Sequence, residues 1–232
     1  MDKLKLIGYG LFCAILIAFN VHAGIDKIYD PYVDQGELEI EARGVHKFDD
    51  DNEHKVKLGV GYGVNAVWLV EGYAIFEQET GNSADIEEVE LENKFQLTEQ
   101  GQYWVDVGLL MELEKKLEED VWEFKIGPLF QKQIQDWVVT ANFRMEKKFG
   151  SDNTEGEVDF LGAAQLKYRL SSSLEPAVEY YGDKETHAIG PVLLGKHRWG
   201  KTPVKWELGV LKGLNDDTSD INFRWLLELE FY

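Results

Sequence analysis

Thiols, basic charge and long apolar runs are what this chain has least of. Its single cysteine, Cys13, falls within the first 23 residues, which excludes a disulfide framework in the remainder. Lys and Arg number 24 against 43 Asp and Glu, for a formal net charge of −19. That balance excludes a nucleic-acid partner, whose recognition wants a basic face. Past the N-terminus no apolar run approaches the roughly 20 residues of a spanning helix, so a helical membrane protein is excluded too. Phosphate loops and zinc-spaced Cys/His sets do not occur, and Asp49-Asp50-Asp51-Asn52-Glu53 lacks the glycine and distal glutamate of an EF-hand loop. The expectation is therefore no cofactor and no metal. What is present is a chain of 232 residues, 44% hydrophobic and 12% aromatic, enough for one ordered domain.

Residues 1–23 read as a secretory signal peptide. Lys3 and Lys5 supply the positive start, an apolar run follows over 6–19, and Val21-His22-Ala23 places small residues where a signal peptidase reads them. The expected cut precedes Gly24, leaving 24–232 as the mature domain. An uncleaved anchor helix is the competing reading, and the apolar run is short for one.

From Glu37 onward the chain has period two. Alternating runs occupy 37–48, 55–64, 67–79, 87–97, 103–115, 121–131, 137–149, 158–170, 174–182, 188–195, 204–211 and 221–232. In the first, Leu38, Ile40 and Ala42 share one face and Glu37, Glu39, Glu41 and Arg43 the other, a pattern of strands and not of helices. The count is twelve strands, or ten if the weak ninth and tenth runs are loops. A soluble sandwich or lipocalin-like barrel would turn the apolar face inward. An outer-membrane barrel would turn it to lipid and line its interior with charge.

Three features favour the membrane barrel. Several runs reach ten to thirteen residues, longer than the usual five or six of soluble strands and suited to a tilted span. Aromatics stand at the ends of the apolar faces, Trp68, Tyr103, Phe130, Trp137, Tyr168, Trp206 and Phe231 at one end and Phe48, Phe76, Trp122, Phe149 and Phe223 at the other, as interfacial girdles do. Breaks between runs alternate strictly, acidic then near-neutral, which implies two different aqueous faces and an even strand count. The fold expected is an all-β, up-and-down antiparallel transmembrane β-barrel of about 12 strands, with connections too short to leave room for a plug.

The last run, with Phe223, Trp225, Leu227, Leu229 and Phe231 on one face, resembles the terminal strand of bacterial outer-membrane β-barrels, although Tyr232 follows the closing aromatic. The resemblance implies that these five residues act as an insertion signal for the barrel insertion machinery, that the partners include outer-membrane lipid and lipopolysaccharide, and that the location is the outer membrane of a Gram-negative bacterium. The segments 174–181, 187–194 with Gly190-Pro191, 206–210 and 224–228 are similar to small uncharacterised proteobacterial barrels grouped with the MetA-type transporters of phenol degradation. That likeness covers roughly the last third of the chain and implies transport without fixing a substrate.

Twelve strands at the usual spacing and tilt give a backbone diameter of roughly 24 Å, and side chains on both walls narrow that to a small lumen. The expected pore lining is Glu71, Glu90, Glu92, Asp106, Glu112, Glu123, Lys125, Arg144, Lys167, Glu179, Glu207, Arg224 and Glu228. Its acid excess points to a channel or transporter for small solutes that prefers cations. The alternative is a closed structural or binding barrel in which the same charges pair off and the acidic loops meet partners. Gly59, Gly61 and Gly63 all point inward, leaving either a groove or, the simpler reading, a place where the sheet curves. No enzyme is expected. His46 comes nearest to a lipid-facing catalytic group, and no serine shares its strand face.

Overall fold

The computed structural model describes residues 24–48, 53–78, 85–153 and 158–232. The leader at 1–23 lies outside the described residues, as do 49–52, 79–84 and 154–157 within the acidic breaks. The strands are β1 (Leu38–Phe48), β2 (His54–Asn65), β3 (Trp68–Gln78), β4 (Asp85–Gln96), β5 (Asp106–Lys116), β6 (Trp122–Ile134), β7 (Trp137–Phe149), β8 (Val158–Tyr168), β9 (Glu175–Gly182), β10 (His187–Trp199), β11 (Thr202–Gly213) and β12 (Ile221–Phe231). Each pairs antiparallel with its sequence neighbours and β12 closes on β1, giving an up-and-down barrel of twelve strands. The weak ninth and tenth runs are both strands, so the count of ten is set aside.

Alternation sorts the two faces as a membrane barrel requires. Leu58, Leu91, Phe143 and Leu227 stand 45–54% exposed on the outside, while Glu92 and Glu179 inside are fully buried. Aromatics cap the outer face at both ends. Trp68 stacks on Phe95 and Trp137 meets Tyr168 at the end that carries both termini of the barrel, and Trp122 stacks on Phe149 at the other. The fifth strand begins at Asp106, later than the run from 103 suggests. The Gly101 N–H donates to Asp106 Oδ1 at 2.7 Å and the Val107 N–H to Thr98 Oγ1 at 2.8 Å, so 98–105 folds as a loop and leaves Tyr103 and Trp104 exposed.

Two Gly-Pro pairs interrupt the ladders. Proline offers no N–H to the neighbouring strand, and paired positions are skipped around Pro128 in the β6–β7 ladder and around Pro191 in the β10–β11 ladder. At the glycine before each, the facing strand comes so near that a Cβ would lie 1.8 Å from Phe143 O at Gly127 and 2.0 Å from Val210 O at Gly190. Glycine is the residue that admits this approach.

The expectation that nothing plugs the barrel is overturned. The segment preceding β1 supplies a plug. Residues 24–37 enter at the termini end and run up the lumen, so that Gly24 and Ile25 reach a cavity walled by Lys55, Glu77 and Glu88 near the opposite rim. Lys27, Ile28 and Tyr29 are buried midway. A barrel this wide cannot be filled to its axis by wall side chains alone, and the segment, called the strap below, occupies the axis.

Candidate functional site

The interior is built in two sectors, and the strap fits each with matching chemistry. On β8–β11 the inward positions include small or apolar residues, and Ala163, Ala177, Tyr181, Ala188, Val192, Leu194 and Leu211 form a buried cluster that receives Ile28, with Ile25 packed against it. Across the lumen Tyr29 packs on Leu110 and Leu129. Elsewhere the wall is charged, and among the described residues buried carboxylates outnumber buried cations by more than two to one.

Polar anchors hold the strap at successive depths. At the termini end Tyr32 Oη donates to Asp106 Oδ2 at 2.7 Å and accepts from Gln131, while the Val33 N–H donates to Gln96 at 3.0 Å. In the middle, Asn142 acts like one residue of a missing strand. Its Oδ1 accepts the Tyr29 N–H at 2.7 Å and its Nδ2 donates to the Tyr29 carbonyl at 2.8 Å. Tyr29 Oη donates to Glu92 at 2.8 Å and accepts from Arg43. Deeper, Lys27 Nζ donates to Glu41 at 2.5 Å and lies 3.3 Å from Glu228. Asp26 sits between Arg43 (2.8 Å) and Lys57 (3.2 Å), and its carbonyl accepts from Tyr181 Oη at 2.6 Å.

All thirteen residues expected to line a pore lie inside the barrel, in distinct groups. Glu71, Glu92 and Glu112 are direct cross-strand neighbours on β3, β4 and β5, and each buries an Oε2 without a hydrogen-bond partner. Arg43 joins this row through Glu92 at 2.9 Å and Arg144 through Glu112 at 2.6 Å. Glu90 pairs with Lys57 at 3.0 Å. Arg224 bridges Glu179 (2.5 Å) and Glu207 (2.8 Å). Lys125 binds Glu123, and Lys167 meets Glu175 at 3.1 Å. Asp106 serves the strap and the loop before β5, and Glu228 serves Lys27 and Lys205.

The space beside the inward glycines is taken up by neighbouring groups. A Cβ at Gly59 would lie 2.3 Å from the Tyr73 ring, one at Gly61 2.8 Å from Glu71 Cγ, and one at Gly63 2.0 Å from the Asp34 carbonyl of the strap. The stripe makes room for two wall side chains and for the strap's own backbone, and Gly63 also exchanges backbone hydrogen bonds with Gly36 and Glu37.

Two cavities flank the strap's middle, one on each side. One of about 390 Å³ lies toward the end opposite the termini, among Asp26, Lys57, Glu90, Glu114, Lys125 and Glu146. The other, about 260 Å³, lies toward the termini end among Asp30, Gln131, Gln165, Lys167 and Lys205. The stretch Lys27–Asp30 separates them. Sequence reading missed the strap, Tyr29 and Asn142. The signal available was compositional: 24–37 carries two Ile and two Tyr in a segment without alternation, which is unlike a solvated linker. Asp120, in the connection before β6, is held below the usual range by hydrogen bonds from the Ser151 backbone and hydroxyl.

No protein-family profile matches the chain, and no curated protein sequence does. Solved structures do match its shape. The crystal structure of the COG4313 outer membrane channel from Pseudomonas putida F1 superposes with a TM-score of 0.62 at 11% identity, over 90% of this chain and 100% of that one. The KdgM porin, solved in complex with disordered oligogalacturonate, gives 0.55 at 11% identity over 84% and 98%. The translocator domain of the autotransporter NalP from Neisseria meningitidis gives 0.50 at 11% over 84% and 88%. These neighbours are bacterial outer-membrane β-barrels, and the likeness is one of fold.

Proposed function

We propose that this protein is an outer-membrane channel for small polar solutes, closed at rest by its own N-terminal strap. The observation that carries the reading is the nature of the occluder. It is a chain segment joined to the barrel at a single point, before Leu38, and held by discrete hydrogen bonds and ion pairs between two cavities. Its withdrawal would leave a continuous path lined by the carboxylate row Glu71–Glu92–Glu112 and its neighbours. The acid excess of that path favours cations. A channel and a porin among the structural neighbours support the transport class. An acidic connection set on one rim and a near-neutral one on the other suit the outer membrane of a Gram-negative cell.

The same strap favours a second reading, a permanently closed barrel that acts through its rim. Planar-bilayer recording separates the two. The refolded mature protein should conduct rarely, and a variant lacking residues 24–34 should give steady openings with a cation-selective reversal potential under a salt gradient. Glu92→Gln in that background should shift the reversal potential toward zero. Silence from a strapless barrel that still shows a heat-modified gel shift would favour the closed reading.

A further inference from the structure

We propose that His46 and His54 form a two-imidazole site for a divalent transition-metal ion on the outer wall of the barrel, at the rim opposite the termini. The two residues face each other across β1 and β2. The Lys47 N–H donates to the Glu53 carbonyl at 3.0 Å, which makes 47 and 53 a hydrogen-bonded position. The adjacent pair, His46 and His54, then occupies the non-hydrogen-bonded position, where antiparallel side chains approach closest. Their Nδ1 atoms lie 2.6 Å apart, and the ring centroids 3.7 Å. Phe48 packs edge-on to His46 at 3.9 Å, and Phe223 is its cross-strand neighbour on β12, so aromatics flank the His46 ring.

Two neutral imidazoles so placed share one proton between their Nδ1 atoms. An ion bound there takes both Nδ1 lone pairs: the shared proton leaves Nδ1 to water, the donor ring takes one up from water at Nε2, and both rings end neutral with their proton on Nε2. Ligands at right angles on one ion, at metal–nitrogen distances of about 2.0–2.1 Å, place their nitrogens about 2.9 Å apart, so the rings must part by a few tenths of an ångström and turn until both lone pairs meet at the ion. Among the described residues no group of three or more His, Cys, Asp or Glu is placed to hold a metal, and water completes the coordination. An open two-nitrogen site of this kind follows the Irving–Williams order, with Cu²⁺ ahead of Ni²⁺ and Zn²⁺, and excludes Ca²⁺ and Mg²⁺, which demand oxygen. By sequence the connection between the two histidines carries Asp49, Asp50, Asp51 and Glu53, a charge that draws cations to this rim, although the two imidazoles suffice for the site.

The test is titration of the refolded mature barrel with Cu²⁺ alone, followed by calorimetry and by electron paramagnetic resonance. One ion per barrel should bind, with superhyperfine coupling to two nitrogens. His46→Gln and His54→Gln should each weaken binding by at least roughly tenfold, and the double variant should remove it, whereas His197→Gln should leave it unchanged. Saturable binding that survives the double variant would overturn the proposal. So would a spectrum of the unsubstituted protein without imidazole nitrogens, a result that does not depend on any variant folding.

Discussion

Asn142→Ala tests the strap where its hold is most specific. The substitution removes both hydrogen bonds to the Tyr29 backbone, at 2.7 and 2.8 Å, in a fully enclosed setting where Asn142 and Tyr29 are 2% and 1% exposed. With the strap docked, a buried N–H and a buried C=O are then orphaned, at about 1–3 kcal/mol each. With the strap withdrawn, water satisfies both. Docking should therefore weaken by about 2–4 kcal/mol, allowing for partial relaxation, which multiplies the undocked population about 30- to 700-fold. The barrel wall loses nothing comparable, because the Asn142 backbone stays in the β6–β7 ladder opposite Leu129. Two assays read the effect. Limited proteolysis should cleave the strap faster by a similar factor, and planar bilayers should record openings at correspondingly higher probability with unchanged unit conductance. Unchanged proteolysis would refute the assigned anchor. Faster proteolysis without openings would keep the anchor and refute the strap as the closure of a channel.

Other consequences follow from the same contacts. Arg224→Met leaves Glu179 and Glu207 buried without their shared cation and should destabilise the barrel by about 3–5 kcal/mol, visible as a lower urea midpoint for the heat-modified gel shift. Gly63→Val places a side chain where the Asp34 carbonyl lies 2.0 Å from an ideal Cβ, and should raise strap proteolysis and conductance with little change in barrel stability. Burial, reinforced by Glu230 and Asp34 and opposed by the Tyr232 hydrogen bond and Lys196, pushes the Glu37 carboxyl up to about 7. A carboxyl whose folded pKa is raised binds its proton more tightly when folded, so its contribution favours folding at low pH and is lost as pH rises from about 4.5 to about 7. Glu37→Gln should remove that part of the pH dependence in urea titrations between pH 5 and 8.

The barrel was legible because each strand answers to one local rule. Leu58, Leu91 and Leu227 face outward and Lys57, Glu92 and Glu228 face the lumen at adjacent positions, and twelve such runs admit few closed arrangements. The strap was not legible because its partners come from everywhere. Asn142, Glu92, Arg43 and Tyr181 converge on Asp26 and Tyr29 from four strands, and no periodicity marks a segment whose order derives from a surface built elsewhere in the chain. Its receiving surface was hidden for a related reason. Ala163, Ala177, Ala188 and Val192 are apolar residues on the inward face, and an alternation rule that assigns inward positions to charge passes over them. Gly59, Gly61 and Gly63 were visible as a stripe, yet what they accommodate, Tyr73, Glu71 and Asp34, is set by β3 and by the strap and not by their own strand.

The ion pairs around the strap explain why its release need not undo the wall. Asp26 contacts Arg43 and Lys57, but Arg43 also holds Glu41 and Glu92, and Lys57 also holds Glu90. Glu41, in turn, keeps Arg43 and the Tyr73 hydroxyl when Lys27 leaves. The wall charges that meet Asp26 and Lys27 therefore retain a partner in both states and leave no bare buried charge there to oppose opening, whereas Lys94 loses its pair with Asp30 of the strap. A strap bonded to charges with no second partner would be a fixed core element; one bonded to charges already paired can leave. Asp26→Asn and Arg43→Met should thus diverge. The first removes a redundant pair and should raise conductance while leaving the urea midpoint of the barrel near that of the unsubstituted protein. The second strips Glu41 and Glu92 of their common cation and should lower the midpoint by an amount comparable to Arg224→Met. Equal destabilisation by both would mean that the strap belongs to the core, and that the barrel does not open by releasing it.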